Sequence, residues 1–340
     1  MQKYKVAILG AGTRIGTELL ELLEERKFPI EDLILLDTEE SQGAIASFQG
    51  SSKIIKNIAS YDFTKVALDF VFSCAGSKVS LAYVEKIATT GTIVIDTSNV
   101  FSNDSQIPLI IPEVNGDSIL EYKNKNIVVT PNCITTIMLM ALAPLHEVFM
   151  LKRVVASTFQ AVSEEGNSGL EELFEQTRAV FQGVSIYDTK KVFTKQIAFN
   201  VIPHIGDFDK SGNTNNEVQL SQEVNRILGE DIALSVTCVQ VPTFISSALS
   251  INVEFLNEVS EALIRNVLQQ TTGISIIDHR ANEGYVTPVE AAGESKVYIS
   301  RIRLDSSKIN TINMWVVADN LRKGTALNML QIAEKIIELL

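Results

Sequence analysis

Cysteine is scarce in this chain: Cys74, Cys133 and Cys238 are the three among 340 residues. They are too few and too scattered for a disulfide framework or a zinc site, and a reducing compartment fits that usage. Basic residues are short as well, 29 Lys and Arg against 41 Asp and Glu, giving a formal charge of -12. That balance argues against nucleic acid or an anionic membrane as a general partner, while leaving room for a local cationic pocket for a phosphate. No apolar run approaches the roughly 18 residues that span a bilayer. The opening MQKYKVAILGAG runs a few apolar residues straight into a glycine turn, the pattern of a strand and not of a signal peptide. The expected location is the cytoplasm. Histidine is equally rare. His146 sits in an apolar helical stretch and reads as a satisfied core residue, and His279 beside Arg280 reads as solvated.

What is present is a globular composition, 46% hydrophobic over 340 residues, long enough that two domains are expected. Short apolar runs at 5–9, 33–36, 70–73, 92–96 and 126–130 alternate with helical patterns at 15–25 and 79–89. This alternation predicts a parallel sheet covered on both faces. Residues 134–150 are apolar almost all round, which predicts a buried helix kinked at Pro144. Beyond about 150 the pattern becomes strand-rich (153–162, 234–241, 246–255, 296–304 and 310–318), with helical stretches near 168–180, 217–228 and 260–270. An α+β domain with a mostly antiparallel sheet is expected there. Residues 324–340 form a regular amphipathic helix pattern.

Gly10-Ala11-Gly12-Thr13-Arg14-Ile15-Gly16 follows the first strand and opens a helix. In that setting backbone N–H groups and a helix N-terminus can hold a diphosphate, as in a Rossmann-type dinucleotide domain. The third glycine falls one place later than in the usual spacing. Asp37, at the end of the second strand, can accept hydrogen bonds from an adenosine ribose and would repel a 2′-phosphate. Glu39 and Glu40 add negative charge. NAD is therefore expected over NADP, with no dinucleotide at all as the alternative.

Pro131-Asn132-Cys133 puts a cysteine after a strand and at the start of a helix, a position expected to lower its pKa and expose it. Together with Pro112–Asn115, 157–163, 197–200, 314–321 and 323–328, it resembles the aspartate-semialdehyde dehydrogenase family, essentially from end to end. The resemblance implies a Rossmann-type parallel-sheet domain (1–131 and 320–340) and an α+β catalytic and dimerisation domain (132–319). The C-terminal helix would return to the first domain, and the chain would form a homodimer. It also implies thiolate attack on an aldehyde, hydride transfer to a nicotinamide and release of the thioester by phosphate, run in reverse for amino-acid biosynthesis. By position Cys133 would be the nucleophile, with Asn132 and Gln160 orienting the acyl group. Glu223 would lie near the substrate, and Arg226 would keep the phosphate-binding cation. Asn320, Gly76 and Ser163 would join the glycine turn in the cofactor set.

Several positions depart from the family. Ser247 stands for the catalytic histidine and Leu249 for the acid two residues on. Gln240 stands for the arginine that clamps the substrate carboxylate, and Ser102 for a phosphate-binding arginine. Glu40 stands for the arginine that holds the 2′-phosphate, and Glu164 and Glu165 replace small residues beside the nicotinamide. Loss of a positioned acid–base typically costs about 10²–10⁴-fold in rate. A catalytically degenerate relative is expected, or else an NAD-dependent oxidoreductase using Cys133 on an aldehyde, aspartate semialdehyde or a less anionic one. The small-molecule substrate is left open.

Overall fold

In a computed structural model the described residues are 2–186, 189 and 192–339. The chain divides into two compact units, Met1–Asn132 with Thr325–Leu340, and Cys133–Gly324.

The first unit carries strands β1 (Tyr4–Leu9), β2 (Ile30–Asp37), β3 (Ile45–Phe48), β4 (Ser51–Ile54), β5 (Lys56–Asn57), β6 (Phe70–Ser73), β7 (Ile93–Asp96) and β8 (Ile127–Val129). Six of them form one parallel sheet in the order β5-β2-β1-β6-β7-β8. β3 and β4 make a separate antiparallel hairpin. That hairpin alternates poorly between apolar and polar residues, so it was not legible in the sequence. Helices α1 (Arg14–Glu25), α2 (Ser77–Ala88), α3 (Pro112–Asn115) and the last helix, α9 (Leu327–Leu339), complete the unit. The buried side chains of α1 and α9 enter one core with β1, β2 and β6. Arg26 pairs with Glu334 at 2.7 Å and ties the end of α1 to α9. Leu340 and Met1, which fall in the expected terminal segments, lie outside the described residues.

Neighbours β2 and β6 flank β1, so the chain changes direction across the sheet between β1 and β6, the point where ligands bind at the carboxyl ends of parallel strands. The turns after β1 and β6 meet there. A Cβ on Gly10, whose φ is +85°, would lie 2.7 Å from the Ala75 nitrogen. Gly16, the late third glycine, is the residue that lets α1 close on the turn: a Cβ there would sit 2.1 Å from the Gly10 carbonyl oxygen. Gly16→Ala is expected to destabilise the first unit by about 1–3 kcal/mol through overpacking. A thermal melt followed by far-UV circular dichroism would show it, and an unchanged transition would remove this role from Gly16.

The second unit holds α4 (Cys133–Phe149), β9 (Leu151–Phe159), α5 (Gly166–Gln182), α6 (Asn215–Leu228), β10 (Ala233–Thr237), β11 (Ser247–Phe255), α7 (Glu261–Gln270), β12 (Ile274–Ile276), α8 (Pro288–Ala291), β13 (Val297–Leu304) and β14 (Thr311–Ala318). Its sheet runs β10-β9-β11-β14-β13-β12. The inner pairs are antiparallel, as expected, but both edge pairs are parallel. β9 and β10 are joined through α5 and α6, and only a crossover of that length allows a parallel neighbour. The apolar helix α4 packs between the sheet and helices α6 and α7. It runs unbroken with Pro144 inside. His146 near its end accepts the Leu151 N–H through Nδ1 at 3.1 Å, with Nε2 3.5 Å from Glu230. His204 lies against the Phe208 ring, 4.4 Å between centroids. Among the described residues no helix is long and apolar enough to cross a membrane.

Candidate active site

Cys133 is the first residue of α4 and is half-buried. Gly324 approaches it so closely that a Cβ there would lie 2.8 Å from the Cys133 Cβ. The site is completed by two segments from elsewhere in the second unit. The turn Val162–Glu165 follows β9, and its Val162 and Ser163 N–H groups donate to the carbonyls of Thr243 (3.0 Å) and Phe244 (3.2 Å). These bonds bring Glu164 to Ser247 at the start of β11. Ser247 Oγ donates to Glu164 Oε1 at 2.6 Å and accepts the Ala161 N–H at 3.1 Å. The Cys133 thiol is hydrogen-bonded to the same Glu164 carboxyl. Ser246 has the left-handed φ of +72°, a conformation unfavourable for a side chain. Its N–H is held at 2.9 Å by Asn320 Oδ1.

The electrostatics follow from that arrangement. Burial pushes the Cys133 thiol well above its ordinary value, and the Glu164 and Glu223 carboxylates add to the rise, while the Ile134 N–H opposes it. The expectation that the helix start lowers this thiol is corrected: desolvation and two nearby carboxylates outweigh the helix end. Burial also pushes Glu164 up to about 7, against the stabilising bonds from Ser247 and Cys133. The contact of Glu164 with the thiol is the feature of the site that the sequence did not reveal. Glu164 reads there as a bulky acid in place of a small residue, with nothing local to show that its carboxyl reaches the thiol.

The other expected residues take definite places. Gln160 is fully buried, its Nε2 donating to Thr158 Oγ1 (3.0 Å) and Asn216 Oδ1 (3.3 Å), while its Oε1 has no partner. Gln240 is buried with its Nε2 donating to the Gln160 carbonyl at 2.8 Å. Helix α6 begins with a capping box, Thr214 with Glu217. One face of it presents Glu223, buried, to the Thr135 hydroxyl at 2.6 Å and Gln219 at 2.8 Å. Arg226, half-buried, lies one turn further on the same helix. Ser163 and Asn320 are bonded to each other, 3.0 Å from Asn320 Nδ2 to Ser163 Oγ.

In the first unit, Asn132 immediately precedes α4. Ser102 is buried, its hydroxyl donating to the Asn99 carbonyl at 2.8 Å. Asp37 is buried and braces the glycine turn, its Oδ2 accepting the Gly12 N–H and its Oδ1 the Thr38 N–H, both at 2.7 Å. Each oxygen keeps a further lone pair. Thr13 caps α1 by accepting from Gly16 at 3.0 Å, and the helix opens at Arg14 and Ile15, whose N–H groups head it as donors for an anion. Gly76, with φ +82°, opens α2 in the adjoining turn. A glycine turn too tight for side chains, a helix start and a buried acid at the strand switch together suit a dinucleotide. Among the described residues no group of His, Cys, Asp and Glu is placed to hold a metal.

Comparison with known proteins gives the class of this architecture. The profile of the semialdehyde dehydrogenase NAD-binding domain matches residues 5–122, and that of the semialdehyde dehydrogenase dimerisation domain matches 142–323. An aspartate-semialdehyde dehydrogenase of Rickettsia conorii is 43% identical over 99% of this chain and 98% of its own length. One from Aquifex aeolicus is 39% identical over 98% of each. The crystal structure of aspartate semialdehyde dehydrogenase II from Vibrio cholerae superposes with a TM-score of 0.95 at 36% identity, covering 99% of both chains. The chain belongs to the aspartate-semialdehyde dehydrogenase family. Its family thus has a nicotinamide-binding first domain, and the dimerisation domain points to a homodimer.

Proposed function

We propose that this chain is an aspartate-semialdehyde dehydrogenase homologue with weak or no turnover of aspartate semialdehyde. The observation that carries this reading is what surrounds Cys133: a carboxyl and a hydroxyl, Glu164 and Ser247, where the reaction needs a base that favours the thiolate. Serine does not take up a proton near neutral pH. Gln240 adds to the loss, because its amide N–H is already bonded to the Gln160 carbonyl and carries no charge for a substrate carboxylate. Gln160, Asn132, Glu223 and Arg226 would still line an acyl site. NAD would be the dinucleotide, held at the glycine turn, Gly76, Ser163 and Asn320, with Asp37, Glu39 and Glu40 disfavouring a 2′-phosphate. The protein would act in the cytoplasm.

The test is phosphate-dependent reduction of NAD and NADP with aspartate semialdehyde, measured beside the Vibrio cholerae enzyme. A rate about 10²-fold or more below that enzyme is expected. Comparable turnover would reject the proposal.

One observation favours a second reading, oxidation of a less anionic aldehyde through Cys133 with NAD. Glu164, pushed up to about 7 and bonded to the thiol, is itself an acid–base placed on the nucleophile. A panel of uncharged aldehydes separates the two, since only the second reading gives NADH from them.

A further inference from the structure

Three polar groups converge in the second unit: the Cys133 thiol, the Glu164 carboxyl hydrogen-bonded to it, and Ser247, which donates to Glu164 Oε1 at 2.6 Å. Ser247 is in turn fixed by the Ala161 N–H at 3.1 Å. The carboxyl is thereby held from the turn that Val162 and Ser163 tie to Thr243 and Phe244. We propose that Glu164 is the general base of this site and directs an acyl group on Cys133 to water, so that the product is a free carboxylic acid. This inference rests on the second reading above, in which Cys133 carries the chemistry.

The acceptor that approaches the thioester decides the product. Water must lose a proton as it attacks, and a carboxylate within reach of the sulfur can take that proton. A phosphate dianion, already an ionised nucleophile, gains nothing from such a base. The charges that face Glu164 are Glu165, which raises it, and the Cys133 and Cys238 thiols, whose own titration Glu164 pushes up. Its rise to about 7 leaves it half ionised near neutrality, where a base is most effective.

The thiol proton passes to Glu164 as sulfur adds to the aldehyde carbon. A nicotinamide held at the first unit's glycine turn would supply the acceptor for the hydride that leaves the adduct carbon as the thioester forms, and Glu164 gives up its proton to solvent before the next step. Water then attacks the thioester carbonyl, its proton goes to Glu164, the C–S bond breaks, and the leaving thiolate recovers a proton from Glu164. The net change is aldehyde, water and oxidised nicotinamide to acid, reduced nicotinamide and one proton.

Deacylation can be read without the cofactor, using p-nitrophenyl acetate on the full-length protein. Wild type is expected to release acetate continuously, with a rate that rises through pH 7 and does not respond to inorganic phosphate. In Glu164→Gln one of the two carboxylates that raise the thiol is gone while burial and Glu223 remain, so acylation of Cys133 is followed at pH 8.5, where more of the thiol is ionised. Release to water should then fall by about 10²–10⁴-fold, and acetyl-Cys133 accumulates as seen by mass spectrometry. Ser247→Ala removes a bond that favours the ionised acid and should move the pH inflection upward, a shift a merely structural role would not produce. Acetyl phosphate formation with a phosphate-dependent rate, or wild-type release from Glu164→Gln, overturns the inference alone. Equal hydrolysis by Cys133→Ala, with no acyl group on wild-type Cys133, overturns the underlying role of the thiol as well.

Discussion

A Ser247→His, Gln240→Arg double variant is expected to gain about 10²–10⁴-fold in kcat/KM for aspartate semialdehyde, the range lost when a positioned acid–base is removed. The site is already arranged to receive the imidazole. Ser247 Oγ sits 2.6 Å from Glu164 Oε1, so a histidine there would find an orienting carboxylate, and Cys133 shares that carboxylate. An imidazolium formed beside the sulfur favours the thiolate, reversing the push that Glu164 now exerts. The arginine acts on a different step. It would give the substrate carboxylate a charge-assisted bidentate partner, worth on the order of 2–5 kcal/mol when such a pair is broken. It must also leave the Gln160 carbonyl that Gln240 now holds at 2.8 Å, from a position only 2% exposed. The histidine should therefore appear in kcat and the arginine in KM, and steady-state kinetics on each single variant separates them. A double variant no faster than wild type, with an unchanged melting transition, would mean that position 247 cannot activate Cys133.

The parts that were legible in the sequence are those fixed by local pattern. Strand-then-glycine-then-helix at 5–25 is a short-range signal, and it yields β1, the turn and α1 with Asp37 bracing Gly12. The all-round apolar helix after Cys133 is equally local, and it is buried as expected. The reach of Glu164 is not local. It depends on backbone bonds from Val162 and Ser163 to Thr243 and Phe244, about eighty residues away, and no periodicity encodes that pairing. The same holds for Gln240, whose amide is occupied only because it forms a bridge with Gln160. The Cys133 pKa went the other way from expectation because a helix end acts weakly and locally, whereas desolvation by the surrounding fold is strong. Position along the chain gave the first effect and could not give the second.

Glu164 should also make the protein's stability fall with pH in a window that its replacement abolishes. Its carboxyl titrates near 7 in the folded chain against 4.5 for the ordinary group, so the folded state binds the proton more tightly than the unfolded state. The contribution of Glu164 to stability is then greatest below about pH 4.5, declines as pH rises from there through 7, and is constant at its lower level beyond. The difference corresponds to about 3 kcal/mol, since each pH unit separating the two values is worth about 1.4 kcal/mol. Glu164→Gln carries no such proton. Relative to wild type it should therefore gain about 2.5 kcal/mol between pH 5 and pH 8, whatever constant cost comes from changing the bonds to Ser247 and Cys133. Other buried acids that titrate, such as Asp96, whose carboxyl is raised by burial, are common to both proteins and cancel in that difference. Trp315, the single tryptophan, lies in β14 of the same unit with its indole N–H bonded to Val286 O at 3.0 Å, so its fluorescence reports unfolding where Glu164 acts. Urea titrations of both proteins at pH 5 and pH 8, at one fixed protein concentration, give the comparison. Equal pH dependence in the two would show that Glu164 is ionised without penalty, and with it would go the case for this carboxyl as a base that works near neutral pH.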